Sequence, residues 1–289
     1  MELRALRYFL TVVREENITR AAEVLHITQP TLSRQMTQLE EELGVQLFVR
    51  GKHLALTDAG VMLRHRAEEV TALMDKIEME FEEQADLAGV IAIGTGGLLA
   101  MQALVPQMAD FHATYPRVRY QLYTNSAEHV KERLDQGLLD FGLLLEPIDV
   151  AKYDYIRLQQ RERWGLLMHA GHPLAQKASI TREDLFATPL ITSDRLSIQK
   201  ELENWLGNDF SKLDIFATYN IITNVAMLVD SGVAAALTVE GAVNLFDRQR
   251  MVFRPLAPQL SMTSVLAWKK FQPNFGVAGK FLEHVKSMQ

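Results

Sequence analysis

Leu3, Leu6, Phe9, Leu10 and Val13 recur at helical spacing at the start of the chain, so one apolar face is expected there. Asn17 to Thr19 interrupt that pattern, and Thr19 is placed to cap a short helix running to Leu25. His26-Ile27-Thr28 makes a three-residue join. Thr28 can cap the next helix, which runs to Leu43 and ends at Gly44, with Pro30 in its first turn where a missing N–H costs little. With Leu32 as reference and about 100° per residue, Met36, Leu39 and Leu43 form a narrow inward stripe. Pro30, Arg34, Thr37 and Gln38 then point outward, with Ser33 on the flank and Gln29 in the exposed first turn.

Leu63, Ala67, Val70, Met74, Ile77 and Phe81 follow at spacings of 4, 3, 4, 3 and 4. That is an a/d seam, set among charged positions such as Arg64, Glu68, Asp75 and Lys76. A solitary helix could bury such a seam on its own domain, but the unbroken length favours pairing with a second copy.

From Val90 onward strand and helix signals alternate. Val90 to Ile93 reads as a buried strand, Leu104 to Phe111 as a helix face, Val118 to Leu122 as an alternating strand, and Leu139 to Leu145 as an apolar strand. A second cycle begins near Trp164, with a helix start at Thr181-x-x-Asp184, strands at Leu190-Ile191, Ile215 to Tyr219 and Val233 to Leu237, and helices between them. Repeated strand–helix units imply a parallel sheet covered on both faces. Two such units in series imply two subdomains with a ligand cleft between them.

The 289 residues leave room for two or three domains, and 48 % apolar with 23 % charged residues is ordinary for a globular chain. No long apolar run follows the arginines at 4 and 7, and no stretch of about 18 apolar residues occurs, so neither an export signal nor a membrane span is expected. The chain has no cysteine, which excludes disulfides, thiolate zinc sites and thiol peroxide sensing, and a cytoplasmic location fits. The net charge of −6 opposes DNA binding only if the cations are evenly spread, because phosphate neutralisation is local.

The cations are not evenly spread. Arg34 sits among the short polar and amide side chains of the outward helix face, and these are the groups that reach base edges: Arg pairs with guanine and Gln with adenine. The Ala21-Ala22 pair lets two helices cross closely, as a helix-turn-helix requires. Beyond Gly44, two short apolar segments bracket Arg50, Lys52 and His53, which reads as a basic wing. The acidic run Glu40-Glu41-Glu42 at the helix C-terminus, where anions are mildly unfavourable, is left without a role.

The run from Thr19-Arg20-Ala21-Ala22 through Gln29-Pro30-Thr31-Leu32-Ser33-Arg34, then Leu43-Gly44-Val45 and Leu56-Thr57-Asp58-Ala59-Gly60, closely resembles LysR-type transcriptional regulators. Pro116-Arg117-Val118, Gly137 to Asp140 and Gly171-His172-Pro173-Leu174-Ala175 are similar to landmarks of that family's sensing domain, so the resemblance spans the chain. It implies a winged helix-turn-helix over 1–57, a dimerising linker helix over 58–88, and a periplasmic-binding-protein-like α/β effector domain over 89–289. Subdomain I would take about 89–161 and 265–289, and subdomain II about 162–264.

The resemblance further implies promoter or operator DNA as partner, homodimers or homotetramers, a small-molecule effector, and RNA polymerase as a candidate partner. By position, Gln29, Pro30, Ser33 and Arg34 would contact DNA, with Thr28, Thr31 and Arg50 near phosphate and Thr37 and Gln38 on the same face. The wing is one residue shorter than the family pattern, so Lys52 and His53 both stand as its second cation. The effector positions would be Thr95, Gly96, Asn125, Ser126, Thr192, Arg195, Thr223 and Thr238. Hydroxyls at helix N-termini and Arg195 suit an anion. Ala234 and Val239 stand where a glycine and a proline are common in the family.

Other constellations carry less. His169 and His172 lie three apart but lack carboxylates nearby, so no metal and no cofactor are expected. Gly94 to Gly97 lack the spacing and lysine of a phosphate loop. Trp164, Trp205 and Trp268 read as core. An enzyme would need a nucleophile–base pair or metal cluster that does not stand out. A purely architectural DNA binder would fill the subdomain interface with apolar side chains instead of leaving a polar cleft.

Overall fold

The computed structural model describes residues 1–49, 54–81, 87–243, 246–247, 249–270 and 276–287. It divides into two compact units, Met1–Gln84 and Ala85–Gln289.

In the N-terminal unit, helices α1 (Leu3–Glu15), α2 (Ile18–Val24) and α3 (Gln29–Leu43) precede a two-stranded antiparallel ribbon, β1 (Phe48–Val49) and β2 (Ala55–Leu56), and then helix α4 (Asp58–Phe81). Leu6, Phe9 and Val12 of α1 meet Ala21 and Ala22 of α2, Leu32, Met36 and Leu39 of α3, and Leu47 and Phe48 in one core. The Phe9 and Phe48 rings lie 5.4 Å apart.

Three local details depart from the spacing argument. The cap of α2 is Asn17, whose side chain accepts from the N–H groups of Thr19 (2.9 Å) and Arg20 (3.1 Å), so the helix begins two residues earlier than a cap at Thr19 would set it. Thr28 stands at the N-cap of α3 but makes no side-chain capping bond, sharing a hydrogen bond with the Thr31 hydroxyl instead (2.8 Å). Leu43 is exposed because α3 outlasts the core it packs on. Gly44 ends α3 in the left-handed region, at φ 69°.

The apolar seam of α4 splits between two faces. Ala67 and Thr71 are buried, and Leu63 packs on the N-terminal core. Val70, Leu73, Met74 and Ile77 remain exposed. The helix starts on Thr57, whose hydroxyl donates to Gln46 O (2.7 Å) and accepts from Gly60 N (3.0 Å).

The C-terminal unit contains strands β3 (Gly89–Thr95), β4 (Val118–Thr124), β5 (Phe141–Leu145), β6 (Tyr153–His169), β7 (Leu190–Ser193), β8 (Ile215–Tyr219), β9 (Ala235–Val239), β10 (Met251–Pro255) and β11 (Ser261–Lys269). Interleaved are helices α5 (Met101–Thr114), α6 (Ala127–Asp135), α7 (Arg182–Phe186), α8 (Leu196–Leu206), α9 (Val225–Asp230), α10 (Glu240–Val243) and α11 (Gly276–Ser287). The strand order is β4-β3-β5-β11-β6-β9-β7-β8, with β10 also on β6.

The expected parallel pairing holds for β3 with β4 and β5, and for β7 with β8 and β9. It fails for β6 and β11, which run antiparallel to their neighbours because they are the strands that pass between the two halves. β6 pairs with β11 from Tyr153 to Arg163, then changes partner and pairs with β9 from Trp164 and with β10 from Gly165. Each half therefore has its own core, one around Ile91, Leu104, Phe111 and Phe281, the other around Leu166, Ile191, Leu202 and Leu237.

Two sequence landmarks acquire reasons here. Asp140, almost fully buried, accepts from Ala92 N on β3 (2.8 Å) and so ties the start of β5 to its neighbour. Thr181 and Asp184 form a capping box at the expected start of α7, with Asp184 accepting from Thr181 N (3.0 Å).

Candidate nucleic-acid interface and effector cleft

The buried stripe of α3 is Leu32, Met36 and Leu39. Thr28, Gln29, Pro30, Thr31, Arg34 and Gln38 are exposed on the remaining surface, and Ser33 and Thr37 are half-buried beside it. Gln38 donates to Glu42 (3.1 Å), so its amide is held toward the C-terminal end of the helix. Arg50, Lys52 and His53 lie outside the described residues.

The acidic run has a structural role that the sequence did not disclose. Glu40 Oε1 accepts from Leu47 N (2.7 Å) and Phe48 N (3.2 Å), joining the end of α3 to the first strand of the ribbon. Glu42 pairs with the N-terminal ammonium at 2.8 Å, and that contact pulls its carboxyl below the usual range.

In the C-terminal unit a cleft of about 100 Å3 lies between the two halves of the sheet. Gly96, Asn125, Ser126, Arg195 and Thr238 line it, as the sequence reading placed them. Thr95 and Thr192 are buried but not on its wall, and Thr223 is exposed and off it. Asn220, Ile221 and Ile222 form the wall where Thr223 was expected, because the chain enters a short 3-10 turn at Ile222 that turns Thr223 outward.

Leu98, Leu143 to Leu145, Ile198, Val239 and Ala242 give the cleft its apolar lining. Trp164, expected only as core, is 3 % exposed and also forms part of this wall, with its indole N–H directed to Met262 Sδ (3.2 Å). Its polar groups are held by local bonds. Ser126 caps α6, and Asn125 Nδ2 donates to Tyr123 OH (2.8 Å). The Tyr219 hydroxyl donates to Leu237 O (3.0 Å), and burial pushes its phenol up to about 12, so it stays protonated at neutral pH.

Arg195 at the head of α8 reaches across the cleft to Glu128 on α6, with Nε 3.0 Å from one carboxylate oxygen and 3.1 Å from the other. Glu128 was missed because an acid in the first turn of a helix reads as a simple dipole partner. A second missed carboxylate, Glu162, is wholly buried where β6 changes partner. It accepts from Ala100 N (3.3 Å) on one half and Gly241 N (3.1 Å) on the other, and burial pushes its carboxyl up. There the two halves meet backbone to backbone: a Cβ on Gly241 would lie 2.2 Å from Leu99 N.

His169 and His172 do not converge, since each ring accepts a backbone N–H of its own turn, from Gly171 (3.0 Å) and Leu174 (3.2 Å). Among the described residues no cluster of three or more His, Asp or Glu could hold a metal, and no helix is long and apolar enough to cross a membrane.

A helix-turn-helix with a ribbon, joined in one chain to a two-lobed α/β unit with a cleft, defines a DNA-binding regulator of the ligand-responsive kind. Comparison with known proteins gives the family. Residues 3–61 match the bacterial regulatory helix-turn-helix protein model of the lysR family, and residues 84–289 match the LysR substrate binding domain. The chain belongs to the LysR family of transcriptional regulators: it regulates through DNA binding, modulated by an effector. It is 32 % identical to the HTH-type transcriptional regulator AlsR of Bacillus subtilis, over 95 % of this chain and 92 % of AlsR. It is 30 % identical to the Hca operon transcriptional activator HcaR of Escherichia coli, over 93 % of this chain and 92 % of HcaR. The crystal structure of CbnR, a LysR family transcriptional regulator, superposes with a TM-score of 0.77 at 21 % identity over 99 % of both chains and so shares the fold.

Proposed function

We propose that the exposed face of α3 reads operator DNA, with Gln29, Pro30, Ser33 and Arg34 at base edges, Thr28 and Thr31 at phosphate, and Thr37 and Gln38 flanking. Arg50, Lys52 and His53 supply the wing's cations. The observation that carries this reading is the division of α3: Leu32, Met36 and Leu39 are spent on the core, and the polar, Arg34-bearing surface is left exposed. CbnR, a protein of the same fold, has been crystallised as a complex with its target DNA.

The effector occupies the cleft lined by Gly96, Asn125, Ser126, Arg195 and Thr238, with Thr95 and Thr192 behind its wall. The exposed apolar face of α4 (Val70, Leu73, Met74 and Ile77) supports a homodimer through this helix, and dimers can pair into tetramers. The functional boundaries are 1–57 for DNA reading, 58–88 for dimerisation and 89–289 for sensing. The protein acts in the cytoplasm, where its operator is, and it is a regulator and not an enzyme, as its named relatives are.

The test is selection of genomic fragments by the purified protein at near-physiological salt, beside Arg34→Ala. A bidentate arginine–guanine contact contributes about 1–3 kcal/mol of discrimination. A few sites sharing an inverted repeat, relaxed at one base position in the variant, are expected. Weak, sequence-independent capture that is unchanged in Arg34→Ala refutes the assignment of α3.

A further inference from the structure

The charge inventory of the cleft restricts what can fill it. Among the described residues, Arg195 is the only charged side chain on its wall. The remaining polar groups there, Asn125, Ser126, Ser193, Asn220 and Thr238, are neutral, and so is the Tyr219 phenol. The rest of the wall, with Leu143 to Leu145, Trp164, Ile198 and Val239, is apolar. A ligand that satisfies both the one cation and the apolar lining has one anionic end and a compact apolar body. A dianion would find no second cation among the described residues of this wall, and a charge taken from water without a charged partner is costly.

The Arg195 guanidinium is already engaged. Its partner Glu128 stands outside the cleft wall on the other half of the unit, with its side chain 53 % exposed against 22 % for Arg195. The more hydrated member of the pair loses least on release, because water takes it back. The guanidinium, held at the cleft, offers a planar fork that matches any carboxylate. We propose that the effector is an apolar monocarboxylate whose carboxylate replaces Glu128 on Arg195, so that binding exchanges an ion pair between the two halves for one between ligand and protein. This rests on the reading of the cleft as the effector site. The exchange unties α6 from α8 as the apolar body settles against Trp164, so ligand occupancy and the Arg195–Glu128 pair are mutually exclusive.

The experiment uses the full-length protein with benzoate and cyclohexanecarboxylate as probes, benzamide as the neutral isostere and succinate as the dianion. Binding is followed by tryptophan fluorescence and by thermal shift. The monocarboxylates are expected to saturate, and benzamide and succinate to bind at least tenfold more weakly. Arg195→Gln should weaken the monocarboxylates tenfold or more. Glu128→Gln should tighten them three- to tenfold, since it removes the competing carboxylate while keeping size and surface exposure. Unchanged or weaker binding in Glu128→Gln overturns the exchange. Equal affinity for benzamide, or no saturable response to either monocarboxylate, overturns the ligand class. If benzamide saturates and its response is lost in Trp164→Phe, the cleft reading stands and only the charge assignment falls. If benzoate binds undiminished when both Trp164→Phe and Arg195→Gln are introduced, the cleft reading itself falls.

Discussion

Glu40→Ala isolates the contact that joins the reading helix to the ribbon. Leu47 is 1 % exposed and Phe48 7 %, so their N–H groups have no ready water to replace the carboxylate they donate to. Leaving a buried donor unpaired costs about 1–3 kcal/mol. The shorter bond, at 2.7 Å from Leu47 N, dominates, and the 3.2 Å bond from Phe48 N adds less, which puts the loss at about 2 kcal/mol. In a unit of this size each kcal/mol moves the midpoint by about 4–8 °C, so the N-terminal transition should fall by about 8–16 °C. Glu40→Gln keeps an acceptor but forfeits the charge assistance, which roughly doubles such bonds, and should lose about half as much. Calorimetry of the full chain, with the two units' transitions resolved, gives the midpoint, and residue-level amide exchange reports Leu47 and Phe48 directly. The same loosening should weaken operator binding in Glu40→Ala without changing which bases are preferred. A midpoint within 2 °C of the parent (under about 0.5 kcal/mol by the same scaling) and unchanged protection at both amides would refute the role given to Glu40.

Asn17→Ala removes the acceptor for Thr19 N and Arg20 N and should destabilise the N-terminal unit by about 1 kcal/mol, readable by urea unfolding; Thr19→Val should cost less, and the reverse order would return the cap to Thr19. Gly60→Ala places a Cβ 2.2 Å from Leu47 O and 2.8 Å from Leu56 Cδ2. The clash, about 1–3 kcal/mol, should outweigh the helix-propensity gain of about 1 kcal/mol, and a stabilised variant would show that α4 can move away from the ribbon. Burial holds Tyr120 and Tyr219 near 12 against an ordinary 10.0. A raised acid binds more protons folded than unfolded, so stability is retained below pH 10 and falls as pH rises from 10 toward 12. Phenolate absorbance should show a late-titrating fraction that vanishes on unfolding, and uniform titration of all seven tyrosines near 10 would contradict it.

Regular spacing made the helices of the N-terminal unit legible, because a core-facing stripe such as Leu32, Met36 and Leu39 must repeat with the helical period. What escaped was decided by contacts distant in sequence. Val70 and Ala67 belong to one heptad pattern, yet only the tertiary structure shows that Ala67 faces α1's core and Val70 does not. Parallel pairing was inferred from alternating elements, but nothing local distinguishes β6 and β11 as the strands that run the other way. Asn125, Ser126 and Thr238 were placed at the cleft by the family resemblance, and they line it. Glu128 and Arg195 are 67 residues apart, and their meeting has no signature in either segment.

The seventeen residues of β6 run unbroken from one half of the sensing unit into the other. Two lobes tethered by flexible loops swing like a door on a leather strap, through any angle their surfaces allow. Two lobes sharing a continuous strand behave as the ends of a torsion bar, since the twist between neighbouring strands varies over a wide range. The register shift in β11 between Thr263 and Val265, beside the crossing point, is where such a bar would be softest. A signal carried this way is a rotation of a few degrees with little change in outline. Orientation-sensitive probes, such as residual dipolar couplings or paired spin labels on α6 and α8, should therefore register effector binding where overall dimensions do not.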